Sequence, residues 1–562
     1  MKHNPKVVNF NRSSAFAYHR AMINRRENNP LDALELLRSA AEHSPENAEY
    51  RLQLARQYAE IGWYEESCRL ALDVLSEADA PEDAYLLLAD SLISIGRSDA
   101  AEALMLYALA HIENEAFILA AQRMLFEISM ANRPEARKNR RAEYAERIAM
   151  RALKHLGEGE VEKAIQIFES CPPLSKNQSR IRVQYAAALC AANETDRAVS
   201  ELETALEFDN SPEIAVMSAE LFHSMGDTPR AQSLLRGVLD TRDFSSDDLT
   251  LAYALYETGM YEECANFARL ALQENPHDRA FLHVRAVALS RAGAPDSRCA
   301  RYWLHILRID PEDTVAKYYL SAAEKGELRN IEPDCLYKVP QEEFLRRSAA
   351  LRSYMKNDDS VLVHSWQSIP EFRSLVRWAA QSSAAALQIF AGFALSGCDD
   401  AAAQSLLRQL LITQDLPSRA KIEIILLARI HGITVGGALG NYFSHLISRS
   451  GASDQERALC VGDRKLIAGV REYLEDEYQL SEGSLPAFLW LSYRRNPETK
   501  SDLVPSMEAA MGALSYYCLK ARNISASAEK LHRQIGGSRR KMNHYIRRFA
   551  RALNVQKGEN QG

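Results

Sequence analysis

The sequence predicts an all-α solenoid of stacked helical hairpins, and three regularities carry that expectation. Alanines recur at a near-constant spacing at Ala21, Ala55, Ala89, Ala152, Ala186, Ala219, Ala252 and Ala286; the one step of about double length is divided nearly in half by Ala121. Seven residues after these alanines stands a glycine or asparagine: Asn28, Gly62, Gly96, Gly159, Asn193, Gly226, Gly259 and Gly293. Five residues further on comes a second small side chain in most units: Ala33, Ser67, Ala101, Ala164, Ala198, Ala231 and Cys264. A fixed period of this kind marks a repeat array rather than one core.

Each position has a physical reason. Two antiparallel helices pack closely only where their facing side chains are small. Glycine or asparagine ends the first helix because it tolerates the left-handed backbone of the turn. Tyr64, Val161 and Tyr261 fill the space beside the turn, and Pro45, Pro81, Pro212, Pro276 and Pro311 fall where each second helix must stop. One hairpin buries too little apolar surface alone, so the units stack.

These residues resemble the tetratricopeptide repeat, most clearly in AEYRLQLARQYAEIGWYEESCRLALDVL (residues 48–75) and LTLAYALYETGMYEECANFARLALQENP (residues 249–276). The resemblance spans roughly residues 15–320. Two departures stand out: Arg298 occupies the small position of the last unit, and Ala121 lacks its turn glycine. The resemblance implies a superhelix over residues 15–325 that binds a protein or peptide on the concave face formed by first helices. By register that face carries Arg56, Asp90, Glu220, His223, Tyr253, Tyr256, His283 and Arg291. The lysine and asparagine clamp of the chaperone-binding members is not matched, because Leu52, Leu86, Val216 and Leu249 stand at its positions. An acidic chaperone tail is therefore not the expected ligand. The alternative for the tyrosines is packing against the neighbouring unit.

Composition narrows the function classes. Of 562 residues, 47% are hydrophobic and 25% charged, as in ordinary globular proteins, and the net charge of −7 argues against a chain-wide polyanion surface. The first residues, MKHNPKVVNFNRSS, hold no apolar run of signal-peptide length. The least charged stretch, 379–397, contains Gln381, Ser382, Ser383 and Gln388 and reads as a buried helix. Nine cysteines are scattered singly, which fits reduced thiols and gives no zinc framework. A cytoplasmic protein without metal, cofactor or membrane span is the expectation.

The remaining segments follow in order. Residues 131–147, ANRPEARKNRRAEYAER, hold six basic residues against three acids and read as the solvated face of a long helix. Residues 326–344 read as a connector, and 345–500 as an irregular helical solenoid with a hairpin at 385–411. HGITVGGALG, residues 431–440, lacks the lysine and hydroxyl of a phosphate loop and reads as a helix-to-helix turn. Cys398 lies beside Asp399 and Asp400, whose charges raise a thiol pKa instead of activating it. No catalytic motif is present, and no enzyme is expected.

At the carboxyl end, residues 505–554 form a basic module. From Arg522 to Arg551 there are nine basic residues and a single acid, Glu529. SASAEKLHRQI, a Gly536-Gly537 turn and SRRKMNHYIRRFARAL resemble a helix-turn-helix, with Ser525 or Ser527 as the cap of its first helix. Leu531, Ile535, Met542, Tyr545 or Ile546, and Phe549 hold the apolar positions. The resemblance implies that Arg539, Arg540, Asn543 and His544 reach base edges while Lys541, Arg547 and Arg548 hold phosphates. His532 and Gly537 depart from the usual pattern, and a basic cap closing the solenoid is the competing reading. Two functions stay open: a scaffold or adaptor with a protein partner, and a regulator that also binds DNA.

Overall fold

The structure is a computed structural model. It describes residues 14–552 except 78–79, 132–139, 171–178, 242–247, 332, 355–358, 415, 434–441, 444–445, 448–455, 457–458, 481–482, 496–505 and 523. Among the described residues all regular structure is helical. Two compact units are present, one formed by residues 1–128 with 342–562, the other by residues 129–341.

The first unit opens with three hairpins: α1 (Ser14–Arg26) with α2 (Pro30–His43), α3 (Ala48–Glu60) with α4 (Tyr64–Leu75), and α5 (Asp83–Ser94) with α6 (Ser98–His111). A long α7 (Glu115–Ala131) follows, in the unit whose alanine, Ala121, has no turn glycine. The second unit continues with α8 (Arg140–Gly157), α9 (Val161–Glu169), α10 (Ser179–Ala191), α11 (Thr195–Phe208), α12 (Pro212–Ser224), α13 (Thr228–Thr241), α14 (Leu249–Glu257), α15 (Tyr261–Glu274), α16 (Arg279–Arg291), α17 (Asp296–Ile309) and α18 (Thr314–Glu324).

The register read from the sequence is the packing of these hairpins. Ala21, Ala55, Ala89, Ala121, Ala152, Ala186, Ala219, Ala252 and Ala286 are all fully buried, as are Ala33, Ser67, Ala101, Ala164, Ala198, Ala231 and Cys264. All eight turn residues, from Asn28 to Gly293, have positive φ, between 61° and 90°. A side chain larger than alanine at the crossing would force the helices apart, at a cost of about 1–3 kcal/mol. Arg298 does not break the pattern. It points to solvent, and the neighbouring Cys299 takes the fully buried small position.

The register reaches one hairpin further and then fails. Tyr319 stands where the next alanine belongs, one repeat after Ala286, and Gly326 (φ 72°) makes the expected turn. Among the described residues of 327–340 no second helix follows, only turns, bends and irregular chain.

The rest of the first unit comprises α19 (Gln341–Tyr354), α20 (Asp359–Ser368), α21 (Pro370–Gln381), α22 (Ala385–Leu395), α23 (Ala401–Thr413), α24 (Ser418–Ile430), α25 (Val461–Tyr478), α26 (Leu485–Arg495), α27 (Met507–Ala521), α28 (Ala528–Ile535) and α29 (Arg539–Ala552). The α22–α23 hairpin matches the one expected at 385–411. Helix α23 packs on α4, from the far end of the sequence, through a polar seam. Arg408 donates from Nε and Nη2 to Asp73 Oδ1 (3.2 and 2.7 Å), Ser405 donates to Asp73 Oδ2 (2.6 Å), and Arg69 donates to Ser405 (3.0 Å). Arg97, before α6, donates to the Gln414 carbonyl (2.7 Å) and the Tyr442 hydroxyl (3.0 Å).

Candidate peptide-binding groove and basic terminal module

In the second unit, α14, α16 and α18 are consecutive first helices, so their side chains share the inner face of the array. Tyr253 and Tyr256 come from α14, His283 from α16 and Tyr319 from α18. Residues 333–338 of the same chain lie across them. The Tyr256 hydroxyl donates to the Pro333 carbonyl (2.7 Å), His283 Nε2 to the Asp334 carbonyl (2.8 Å), and the Tyr319 hydroxyl to the Lys338 carbonyl (3.0 Å). The Asp334 amide donates back to Tyr319 (3.3 Å). Three of the four contacts read the segment's backbone carbonyls, which any sequence carries.

The side chains of the segment alternate. Cys335 is buried and hydrogen-bonds the thiol of Cys264 on α15, whose own Sγ contacts the Ala252 carbonyl (3.3 Å). Leu336 is exposed. Tyr337 sits under the Arg279 guanidinium (5.3 Å to the ring) and edge-on to His283 (5.3 Å). Lys338 turns outward and pairs with Asp334 (2.9 Å). An Asx turn, with the Leu336 amide on Asp334 Oδ1 (2.9 Å), fixes the bend.

The tautomer of His283 is determined by its partners. Trp303 Nε1 can only donate, and it donates to His283 Nδ1 (3.2 Å), so the proton is on Nε2, the atom that faces Asp334. His283 is fully buried. Burial pulls its pKa down from 6.5 to about 4, against the smaller opposing effect of its bond to Asp334. Burial likewise pushes the Tyr253 hydroxyl up to about 12, and Cys335, Asp278 and Asp334 add to the shift. The Tyr256, Tyr319 and Tyr337 hydroxyls and the Cys335 thiol are also raised. For the tyrosines burial is the leading cause; for Cys335 it is the bond to Cys264. The histidine, the four tyrosines and the thiol are therefore neutral near pH 7. Charge enters through the Asp334–Lys338 pair and through Arg279, which faces Asp313 (3.9 Å). In this arrangement neutral hydroxyls and a neutral imidazole hold the segment by hydrogen bonds.

The other residues expected on the concave face are placed differently. In the second unit, Glu220 on α12 has its carboxyl pKa raised by partial desolvation and by the like charges of Asp248 and Glu257. His223 is half-buried on Thr228 (3.0 Å), and Arg291 lies over the Tyr261 ring (5.8 Å). In the first unit, Arg56 is paired with Asp83 (2.6 Å) and Asp90 is exposed. The sequence reading missed Tyr319, Trp303 and Cys335. Tyr319 had a signal, an aromatic ring at the position of the small residue. Trp303 stacks on it (5.1 Å between centroids, 10° between planes), so a large ring replaces the usual close crossing.

One cluster of ligand-type groups occurs among the described residues, His155, Glu158 and Glu160. Glu160 is engaged by His155 (2.7 Å) and Lys163 (2.7 Å) at the surface, as a hairpin turn commonly is. Cys398 is buried, and burial, Asp400 and Asp399 push its thiol up to about 12. Of residues 431–440, Gly432 makes a left-handed turn (φ 81°), and 434–440 lie outside the described residues. So do 132–139 of the basic segment 131–147. No described helix is long and apolar enough to cross a membrane.

At the carboxyl end, α27, α28 and α29 pack together. Ser527 caps α28, accepting from the Lys530 amide (3.1 Å), which decides between the two serines. Leu531, Met542 and Phe549 are fully buried, and Tyr545 and Ile546 are nearly so. Phe549 stacks on Tyr493 of α26 (4.4 Å), and the Tyr517 hydroxyl donates to the Ile546 carbonyl (2.9 Å). Gly537 has φ 81°, and a Cβ there would meet Glu508 Cβ at 2.9 Å, so the turn demands glycine. Arg539, Arg540, Lys541, His544 and Arg547 are exposed or half-exposed along α29, and Asn543 and Arg548 are half-buried.

No protein-family profile matches the chain. Lipopolysaccharide assembly protein B of Escherichia coli, in strains K12, O6:H1 and O157:H7, is similar to it. The identity is 26% over 279 residues, 46% of this chain and 71% of that protein. Among solved structures, it is similar to the TPR domain of P58(IPK), with 15% identity, a TM-score of 0.21, and 61% of this chain and 99% of that one covered. It is also similar to the yeast Sti1 TPR2AB domain in its pHSP90 complex (14%, TM-score 0.21, 46% and 98%) and to yeast Tom70 (13%, TM-score 0.19, 88% and 99%). The fold rests on the chain's own hairpins: it is an all-α solenoid of the tetratricopeptide type.

Proposed function

We propose that this protein is a non-enzymatic scaffold that binds a segment of a partner protein in the groove of α14, α16 and α18. The observation that carries the reading is that this groove already holds a peptide segment through side-chain donors aimed at backbone carbonyls. Buried aromatic hydroxyls and a neutral histidine favour a partner segment of mixed apolar and polar character over an acidic tail. The likeness to an assembly protein supports an adaptor role, and a cytoplasmic site of action belongs to the same proposal. The test is selection of peptides from a displayed random library on the full chain. Enriched peptides should bind saturably, and Tyr253→Ala should weaken them at least tenfold with helicity unchanged. Enriched peptides indifferent to Tyr253→Ala would overturn the placement of the site.

A second reading has its own support. Arg540, His544 and Arg547 recur at helical spacing on the outer side of α29, while Met542, Tyr545, Ile546 and Phe549 anchor the opposite side. That arrangement suits a helix presented to duplex DNA, with the solenoid as a sensing arm. Duplex binding should fall steeply with salt and be lost on changing Arg539 and Arg540 to alanine. Binding by neither form, or binding insensitive to those changes, removes this reading.

A further inference from the structure

We infer that residues 333–338 are a resident pseudo-ligand of the groove, displaced by partner peptides that reproduce its contacts. The inference rests on the groove reading above and extends it to the kind of peptide recognised and to its regulation.

Three features separate this segment from an ordinary connector. First, it follows α18, where the array would place a second helix, yet it crosses the inner face of the first helices. Second, its contacts are those by which a protein holds a foreign peptide: Tyr256, His283 and Tyr319 all donate to its carbonyls. Third, from Cys335 to Lys338 its side chains alternate, two entering the groove and two not. Cys335 meets Cys264, and Tyr337 enters between Arg279 and His283, while Leu336 and Lys338 face outward. The groove therefore selects a non-helical segment with a small apolar side chain followed, two residues later, by an aromatic ring. The position between them, held by the exposed Leu336, is free to vary.

Tethering makes the segment a strong competitor. A short linker holds an attached ligand at an effective concentration on the order of millimolar. With an intrinsic affinity of ~100 μM for the segment itself, any free peptide would then bind the intact chain roughly tenfold more weakly than an open groove. The groove is thus closed to weak ligands and open to those that bind better than its own segment.

The probe is a fluorescent synthetic peptide with the sequence of residues 329–340, RNIEPDCLYKVP, kept reduced. The proteins are the full chain and a full chain with residues 333–338 replaced by an equal length of glycine and serine. The replaced chain should bind the probe saturably, and the natural chain at least tenfold more weakly. Adding Tyr256→Phe with His283→Ala to the replaced chain should abolish the difference. A folded, replaced chain that ignores the probe while still binding library-selected peptides overturns the pseudo-ligand. A chain that binds no peptide in either form overturns the groove reading itself. If the replacement unfolds the second unit, hydrogen exchange on the natural chain decides. A library-selected peptide should speed exchange of the Asp334, Leu336 and Lys338 amides without deprotecting α14 or α16. Protection of those three amides unchanged at saturation overturns the inference.

Discussion

His283 couples the groove to pH with a definite sign. In the folded chain the ring is neutral: Trp303 donates to Nδ1, and Nε2 carries the only proton. Its pKa is about 4 folded against an ordinary 6.5. The unfolded or opened state therefore takes up a proton that the closed state refuses. Stability is complete above pH 6.5, falls as pH drops toward 4, and is lost to this group below that. At about 1.4 kcal/mol per pKa unit, the gap amounts to about 3 kcal/mol. The Asp334 and Asp313 charges oppose the shift, and burial outweighs them. His277 and His305, stacked with Nδ1 to Nε2 at 3.0 Å, are depressed too and act in the same direction. A comparison of variants isolates His283. His283→Gln keeps a donor and an acceptor but cannot titrate. Hydrogen exchange, corrected for intrinsic rates, gives the opening free energy of α16 amides at pH 7 and pH 4. The natural chain should lose about 2–3 kcal/mol more than the variant over that interval. Equal losses would show that His283 is not held neutral by its surroundings, and the tautomer argument would fall with it.

Other outcomes follow from single contacts. Tyr256→Phe leaves the Pro333 carbonyl buried without its donor, and should cost about 1–2 kcal/mol in local opening of residues 333–338, read by exchange. Among the described cysteines Cys460 is exposed and the others are buried or half-buried, so iodoacetamide should label Cys460 first by mass spectrometry. Asp73→Ala strips Arg408 of its carboxylate in a partly buried seam and should lower the stability of the first unit by about 3 kcal/mol in urea unfolding, whereas a surface ion-pair deletion would cost under about 1 kcal/mol. Gly537→Ala adds a Cβ at positive φ against Glu508, and should loosen α28 from α27 by about 1 kcal/mol or more, seen as faster exchange in α28.

The hairpins were legible because their determinants are local and repeated. Ala186 and Asn193 state the crossing and the turn within two turns of helix, and their counterparts Ala219 and Gly226 state them again one repeat on. The apolar face of α29 was legible for the same reason: one helix carries the pattern. What lay beyond the sequence is contact between distant segments. Nothing in Ser405 or Arg408 indicates that their partner is Asp73, because a carboxylate on a helix surface looks the same whether solvent or arginine meets it. The groove was half legible. Register placed Tyr253, Tyr256 and His283 on the inner face, but register has no term for a segment outside the repeat, and residues 333–338 are such a segment. Arg56, Asp90, His223 and Arg291 illustrate the converse: a position on a face does not by itself bring residues together.

The close of the array explains why the groove is filled at this end. A solenoid must cover the last first-helix, and the usual device is a further helix with an apolar inner side. Here the register stops with Tyr319 in place of alanine, and Trp303 stacks on that ring where a close helix crossing would otherwise lie. Such a surface is too bulky for another tight hairpin, yet it offers hydroxyl, indole and imidazole groups that need partners when buried. A purely apolar cap would leave those groups unsatisfied. The indole is met by His283 Nδ1, and a non-helical segment satisfies the hydroxyls and His283 Nε2 with its own carbonyls, which is why residues 333–338 sit there without forming a helix. The same logic makes the cap exchangeable. Contacts made to backbone carbonyls are available from any peptide, so in the proposed reading the device that closes the array is also the one a partner replaces.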